Sequence, residues 1–227
     1  MRNYATVPEC EVVALAELRP KLREAVARKY NVPRTYATGE ELIAKEQLDG
    51  IVASQPFDRH AQVIIPLYKA GVPVFSEKAL AASEAVGERL LAALKQSGTW
   101  HMVGYHKRSD PATMYAKAEI DRLQLSGELG KLKYVRITMP AGDWMASGFA
   151  DNISSDEKVP DTARDVDRKW DDPYLVFVNY YIHQVNLLRR IDPAGNHSLS
   201  PRSRLADRFR EVAGAPPPCT GNRRGRC

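Results

Sequence analysis

The sequence predicts an α/β fold built on a doubly wound parallel sheet. From residue 11 to about 107, apolar strand-like runs alternate with amphipathic helical segments. The strand-like runs are continuously apolar, which is typical of parallel strands covered by helices on both faces. The helical segments begin and end with residues that favour helix termini. Ligands of such sheets bind beyond the carboxyl ends of the strands.

Four strands and four helices follow from this pattern. The strands are predicted over 11–17, 49–56, 72–78 and 100–105. Each helix has its own terminal signal: Pro20 in the first turn of 19–30, the capping box Thr38 and Glu41 before 39–47, Pro66 as a bend within 58–71, and Ser83 and Gly98 at the ends of 83–98.

The pattern changes near residue 110, where a second domain is predicted to begin. A long helix is expected from Asp110 to Gly127 or Gly130, then a strand over 131–140 and a charged loop region over 142–172. A further helix is predicted over 173–191. Residues 1–109 and 110–192 are therefore interpreted as two domains.

The tail, residues 193–227, differs from the rest of the chain. It contains seven arginines, two acidic residues, no lysine and three consecutive prolines, so it accounts for the whole net charge of +5. This composition resembles translation in a wrong reading frame. The alternative is a native disordered basic tail that touches nucleic acid. Because the remaining residues are neutral overall, the charge argues against nucleic acid as a partner of the folded domains.

Composition limits the class of protein. With 44% hydrophobic and 27% charged residues, the chain is globular rather than disordered. No apolar run is long enough to span a bilayer and no signal peptide pattern is present, which predicts a soluble, cytoplasmic protein. The three cysteines have neither disulfide nor metal-ligand spacing, so no metal site is expected.

Several polar residues are predicted at the ligand-binding edge of the sheet, because each follows a strand: Glu17, Gln55, Glu77, Lys78 and His106. Glu17 ends the first strand, where dinucleotide-binding domains place an acidic partner for the adenosine ribose; a solvated strand-end carboxylate is the alternative. Because Arg19 lies two positions later, a phosphorylated ribose is also compatible with this position. No Gly-x-Gly-x-x-Gly turn is present to hold a pyrophosphate.

The helix over 173–191 combines an apolar stripe with a narrow polar row. Asn179, His183 and Asn186 lie on one side at helical spacing. The row predicts a partly buried face that lines a cleft, with Lys78 as a candidate partner. The alternative is a structural histidine held by neighbouring amides.

Taken in order, five segments resemble the glucose-fructose oxidoreductase / inositol dehydrogenase (Gfo/Idh/MocA) family of nicotinamide-dependent oxidoreductases. "FSEKAL" is similar to that family's Glu-Lys-Pro, "HMVGYHKRSDP" to its Val-Gly-Phe-x-x-Arg-x-x-Pro, and "NYYIHQVNLLR" to its Asp-x-x-x-His-x-x-Asp-Leu-Leu-Arg. "EVVALAE" and "SGELGKLKYVR" complete the set. The resemblance covers residues 5 to about 190.

The resemblance implies a Rossmann-like sheet that lacks its first strand and glycine-rich loop, followed by the beginning of an α+β second domain. Both domains are then incomplete, and the chain is expected to start late and stop early. A fragment without the pyrophosphate-binding loop is expected to show little or no catalysis. The full-length protein is expected to be a homo-oligomer.

The function implied is hydride transfer between NAD or NADP and a hydroxyl-bearing carbon of a sugar, cyclitol or related polyol. The alternative is a non-catalytic ligand-binding or regulatory protein on the same scaffold. His183 is the expected general base, Lys78 the residue that holds the reacting oxygen, and Asn179 replaces the usual Asp of the catalytic set. Because cis bonds are almost confined to proline, the Lys78–Ala79 bond is expected to be trans.

The remaining site residues are also implied by the resemblance. The predicted cofactor-binding set is Glu17, Arg19, Ser54, Gln55, Pro56, His60, Glu77, Lys78 and His106. For His60, a surface position at a helix start is the alternative. The predicted substrate-binding set is Arg108, Tyr181 and Asn186, and Arg108 has an inter-domain salt bridge as its alternative.

Overall fold

The computed structural model describes residues 1–138, 152–158, 162–166 and 172–191. The tail and most of the predicted charged loop lie outside these ranges. Within these ranges there are five strands: β1 (Ala14–Ala16), β2 (Arg34–Tyr36), β3 (Ile51–Ala53), β4 (Val74–Ser76) and β5 (His101–Val103). Six α-helices accompany them: α1 (Pro20–Tyr30), α2 (Gly39–Lys45), α3 (His60–Leu67), α4 (Glu84–Ser97), α5 (Pro111–Ser126) and α6 (Asp172–Ile191).

All strand pairs are parallel, which confirms the α/β class, but the described strands form two sheets. β1 pairs with β2, with Ala14 opposite Arg34. β4 lies between β3 and β5, with Val74 opposite Ile51 and His101. β2 was not predicted, because its three residues do not form an apolar run and two of them are exposed.

The core lies on one face of the β3–β4–β5 sheet. Ala53 and Val74 pack there against α3 and α4, and Ile64 and Leu90 are fully buried. On the opposite face Val52 and Met102 are 49% and 46% exposed. Among the described residues, helical cover is therefore clear on the face that carries Ala53 and Val74, whereas Val52 and Met102 on the other face are half-exposed.

The helix termini follow the predicted signals. The Thr38 hydroxyl accepts from the Glu41 amide at 3.1 Å, and the Ser83 hydroxyl accepts from the Val86 amide at 3.4 Å. Gly127 ends α5 in the left-handed region, at a φ of 70°. Residues 131–138 form no strand with the other described residues and are largely exposed, so the predicted strand over 131–140 is not found there. Its last two residues lie outside the described ranges.

Two carboxylates from beyond residue 150 cap helices of the first hundred residues. Asp165 Oδ2 accepts from the Ala61 amide at 2.6 Å and the Gln62 amide at 3.3 Å, at the start of α3. Glu157 accepts from the amides of Lys21 and Leu22 at 3.1 and 3.0 Å, at the start of α1. These bonds satisfy amides that have no partner inside a helix.

Across the described ranges, no helix combines the length and apolarity that a membrane crossing requires. The same residues also contain no group of three or more potential metal ligands among His, Cys, Asp and Glu.

Candidate functional site

The candidate site is centred on the loop Glu77–Leu80, which follows β4 at the carboxyl edge of the three-stranded sheet. The Glu77 amide donates to the Ala53 carbonyl of β3 at 3.3 Å. The Gly104 amide, just after β5, donates to the Ser76 carbonyl at 2.8 Å. The neighbouring strands therefore fix where this loop begins.

Lys78 extends from this loop to α6. Its ammonium donates to the main-chain oxygen of Asn179 at 2.8 Å and to the side-chain Oδ1 at 2.7 Å. Partial burial lowers the pKa of Lys78, and the nearby Glu77 carboxylate acts in the opposite direction. Because an ammonium has three donors, one N–H remains for a ligand oxygen.

The Lys78–Ala79 peptide bond is cis, so the expectation of a trans bond is wrong. Contacts on both sides fix the backbone here. Lys78 is bonded to Asn179, and Ala79 is 2% exposed within a packed cluster that includes Phe57 and Leu175. Ala79 is the position for which the resemblance implies proline, and with alanine there Lys78 faces α6.

One apolar face seats α6 against the first hundred residues. Leu175, Val178 and Ile182 pack with Ala79 and Ala82, while the Tyr174 hydroxyl donates to the Ala82 carbonyl at 3.2 Å. The polar row lies beside this face, because residues three and four positions apart share a side of a helix. The sequence pattern of α6 therefore determines that Asn179 and His183 meet the Lys78 loop.

His183 lies one turn after Asn179. Burial lowers the pKa of His183 to about 4, and the positive charges of Lys78, His106 and Lys107 act in the same direction. Its Nδ1 is buried and has no hydrogen-bond partner in the described part of the chain. The rings of His106 and His183 meet edge to face with centroids 5.2 Å apart. Thus His183 is neutral at pH 7 and can accept a proton.

Arg108 and Asn186 extend the cluster by another turn of α6. Arg108 Nε donates to Asn186 Oδ1 at 2.5 Å, from the short 3₁₀ helix His106–Arg108. The structure thus brings six predicted site residues together: Lys78, His106, Arg108, Asn179, His183 and Asn186.

Glu17 and Arg19 form a pair of their own at the end of β1. Glu17 Oε1 accepts from the Arg19 amide at 3.0 Å and from Arg19 Nε at 2.7 Å, and Oε2 accepts from the guanidinium at 3.1 Å. These bonds lower the pKa of Glu17. A carboxylate accepts about four hydrogen bonds, so capacity remains for a ribose hydroxyl.

The predicted cofactor-binding residues that follow β3 differ in how exposed they are. Ser54 and Pro56 are exposed at the sheet edge and Gln55 is half-buried. His60 is fully buried, and both of its ring nitrogens face backbone carbonyls. Its side chain thus lies behind the loops rather than on the surface that a cofactor would touch.

Tyr181 is not part of the cluster. It lies about 200° around the helix from Asn179 at 100° per residue. Its ring stacks on Phe177 with centroids 4.9 Å apart, and the two side chains are 52% and 54% exposed. The helical phase that brings Asn179 to Lys78 therefore turns Tyr181 away.

Sequence reasoning missed a buried polar chain below the site. The Tyr68 hydroxyl lies 2.8 Å from His101 Nδ1, and His101 Nε2 lies 2.8 Å from the Ser76 hydroxyl, which donates to the Glu77 carbonyl at 3.1 Å. Burial, with a contribution from His60, lowers the pKa of His101 to about 3. The position of His101 within the apolar strand β5 was the feature of the sequence that could have predicted this chain.

The cluster combines a cationic donor, a neutral imidazole and an amide at one edge of a parallel sheet. Lys78 can hold a ligand oxygen and stabilise negative charge on it. His183 can take a proton from a hydroxyl within reach. The arrangement can therefore hold an oxygen atom and accept a proton at the same place.

Comparisons with known proteins identify what part of this chain is similar to. Residues 1–105 match the model of an oxidoreductase family with an NAD-binding Rossmann fold. The inositol 2-dehydrogenase of Acidothermus cellulolyticus is 32% identical over 52% of this chain and 36% of its own length. The scyllo-inositol 2-dehydrogenase (NAD(+)) of Bacillus subtilis is 28% identical over 60% of this chain and 39% of its own.

A solved structure shows the same likeness. The myo-inositol 2-dehydrogenase of Lactobacillus plantarum superposes with a TM-score of 0.52 at 25% identity, over 58% of this chain and 38% of that one. The chain thus spans well under half the length of the relatives it matches. Residues 1–105 are thus similar to the Gfo/Idh/MocA oxidoreductase family, which has an NAD-binding Rossmann fold.

Proposed function

We propose that this chain forms part of an NAD(P)-dependent oxidoreductase that transfers hydride between nicotinamide and a hydroxyl-bearing carbon of a sugar, cyclitol or related polyol. The observation that supports this most directly is the bond from Lys78 to Asn179, at 2.7 Å, with His183 on the next turn of α6. Inositol dehydrogenases among the matched relatives support the substrate class.

In the proposed reaction, the third N–H of Lys78 donates to the substrate oxygen. His183 accepts the hydroxyl proton while a carbonyl forms at the same carbon. A bound nicotinamide supplies the chemistry for the hydride that leaves this carbon. Arg108 and Asn186 would contact the more distant hydroxyl groups. Asn179 keeps Lys78 directed toward α6, since it accepts two of the three ammonium protons.

The residues present fit two parts of a dinucleotide. The Glu17 carboxylate retains acceptor capacity for the adenosine ribose, and the exposed Ser54 and Pro56, with Gln55 and Glu77, line the sheet edge on the nicotinamide side. The Nδ1 of His183 has no hydrogen-bond partner among the described residues. By contrast, no glycine-rich turn of this sequence would hold the pyrophosphate.

We further propose that a parallel strand and its glycine-rich loop pair between β1 and β3 in the working protein. β1 has β2 as its neighbour, and β3 has β4, so each has one strand partner among the described residues. One inserted strand would join the two sheets into one and bring a phosphate-binding loop to the shared carboxyl edge. The remaining proposals are a cytoplasmic location and a homo-oligomeric full-length protein.

The first test is to read the coding DNA on either side of this chain. A strand and glycine-rich loop are expected in frame upstream, and the family's second sheet is expected downstream of residue 191 in some frame. We call the product that includes these segments the extended protein. It is expected to reduce NAD or NADP at 340 nm with at least one member of a polyol panel. Flanking DNA without such segments would contradict the proposed completion of the sheet.

A second candidate function is ligand binding without turnover. The low pKa of His183, about 4, favours it, because a general base works best with a pKa near the operating pH. Polyol binding by the extended protein with no absorbance change at 340 nm would support this alternative. For the 227-residue chain alone, calorimetry is expected to show no micromolar NAD binding.

The Glu17–Arg19 pair predicts a change in cofactor preference. Glu17→Ala removes the acceptor for a ribose hydroxyl and leaves the Arg19 guanidinium available for a 2′-phosphate. The ratio of kcat/KM for NADP to that for NAD is expected to rise by about tenfold or more in the extended protein, a change of about 1.4 kcal/mol. Glu24→Ala, which removes an equal charge from the exposed side of α1, is the control. Equal ratios in both variants would exclude Glu17 as the ribose contact.

A further inference from the structure

A buried histidine holds the Lys78 loop from inside. His60 is 0% exposed; its Nδ1 lies 3.0 Å from the Leu80 carbonyl and its Nε2 lies 3.2 Å from the Gln55 carbonyl. The ring thus bridges the loop after β3 and the loop after β4. We propose that His60 is a positioning residue that directs the Lys78 side chain toward α6 by holding the Leu80 carbonyl. This inference rests on the proposed function of Lys78.

The chemistry of imidazole distinguishes the two contacts. Both partners are carbonyl oxygens, which only accept, and a neutral imidazole has a single N–H. A neutral ring can therefore donate to only one of the two carbonyls, whereas a doubly protonated ring donates to both. The shorter contact, to Leu80, assigns the proton to Nδ1. The loop that contains Lys78 is then the one that His60 holds.

His60 is itself a fixed point. It is the first residue of α3, and the Asp165 carboxylate caps the next two amides of that helix. Its ring is enclosed by the core, so it cannot move with the loop. A bond from a fixed ring to Leu80 therefore restrains the loop two residues after Lys78.

The opposite end of the loop has an independent anchor. The Ser76 hydroxyl donates to the Glu77 carbonyl and is in turn bonded to His101. Between these two ends lie only Lys78 and Ala79. With Glu77 and Leu80 held from below, the ammonium of Lys78 is directed to the Asn179 oxygens, at 2.7 and 2.8 Å.

The test uses two variants that each preserve one contact. The side-chain amide of His60→Asn can replace Nδ1 and donate to Leu80, whereas that of His60→Gln can replace Nε2 and donate to Gln55. Both bury one amide in place of the ring, so a purely structural role predicts the same behaviour for both. The readout is the pH dependence of Lys78 acylation in the 227-residue chain, followed by mass spectrometry, with exposed Lys95 as the internal control.

In wild type and His60→Asn, the acylation midpoint of Lys78 is expected below that of Lys95. In His60→Gln it is expected to rise by about one pH unit, which is a tenfold change in free amine. Equal midpoints in the two variants would overturn the proposal. Neither outcome depends on hydride transfer, so failure of the proposed function would leave this test intact.

A second measurement needs no variant. Two-bond ¹⁵N–¹H correlation spectra of the wild-type chain report which ring nitrogens of His60 bear a proton. A proton on Nδ1, alone or together with Nε2, supports the proposal. A ring protonated on Nε2 alone would donate to Gln55 rather than Leu80 and would overturn it.

Discussion

Replacing Lys78 with alanine in the extended protein is expected to lower kcat for polyol oxidation by about 10²- to 10⁴-fold, the range for loss of one electrostatic or proton-transfer group. The change removes the donor to the reacting oxygen and the cation next to His183. Its measure is the rate of NADH or NADPH formation at 340 nm under saturating substrate.

Lys95→Ala is the matched control, because Lys95 is an exposed lysine of α4 away from the cluster. Lys78→Arg separates charge from geometry: it keeps a cation but not the compact ammonium that fits between Asn179 and a ligand oxygen. A Lys78→Ala enzyme with kcat within a fewfold of wild type would show that the cluster does not act on the reacting oxygen.

Acidification is expected to destabilise the chain through His101. This histidine is 2% exposed, and burial lowers its pKa from 6.5 to about 3. Between these values the unfolded chain binds a proton that the folded chain does not, so the stability is complete above about pH 6.5 and is lost as the pH falls toward 3. From pH 6.5 to 4.5 the free energy of unfolding is expected to fall by about 2 kcal/mol, an order-of-magnitude value.

Urea unfolding at the two pH values, in wild type and in His101→Gln, measures this effect. Glutamine can keep a hydrogen bond to Ser76 but does not titrate, so the variant is expected to lose less stability between the two conditions. The lowered pKa of His183 acts with the same sign and is common to both proteins. If both lose the same free energy, His101 is not the group responsible.

Local patterns predicted the parts of the site that depend on secondary structure. The helical row of Asn179 and His183 and the strand-end position of Lys78 were both readable from the sequence. The structure brings Lys78 within hydrogen-bonding distance of Asn179. Tyr181 was included in the site by resemblance, although its helical phase already directed it elsewhere.

What the sequence did not predict depends on contacts between distant segments. The Lys78–Ala79 peptide bond is cis. Lys78 is bonded to Asn179 of α6 and Ala79 packs in a buried cluster, and the local sequence around residue 78 predicts neither contact. The exposure of Val52 and Met102 on one face of the β3–β4–β5 sheet was not predicted, because an apolar run in the sequence does not show which of its residues are buried. β2 was not predicted because three residues are too few to show the apolar pattern of a strand.

The cap that Asp165 supplies to α3 has a consequence for synthesis on the ribosome. The two groups are separated by 104 residues in sequence, so the amides of Ala61 and Gln62 emerge long before their carboxylate does. Bringing such distant groups together costs chain entropy that no local contact repays in advance. On the nascent chain, the amides of Ala61 and Gln62 are therefore expected to stay hydrated until Asp165 has left the exit tunnel.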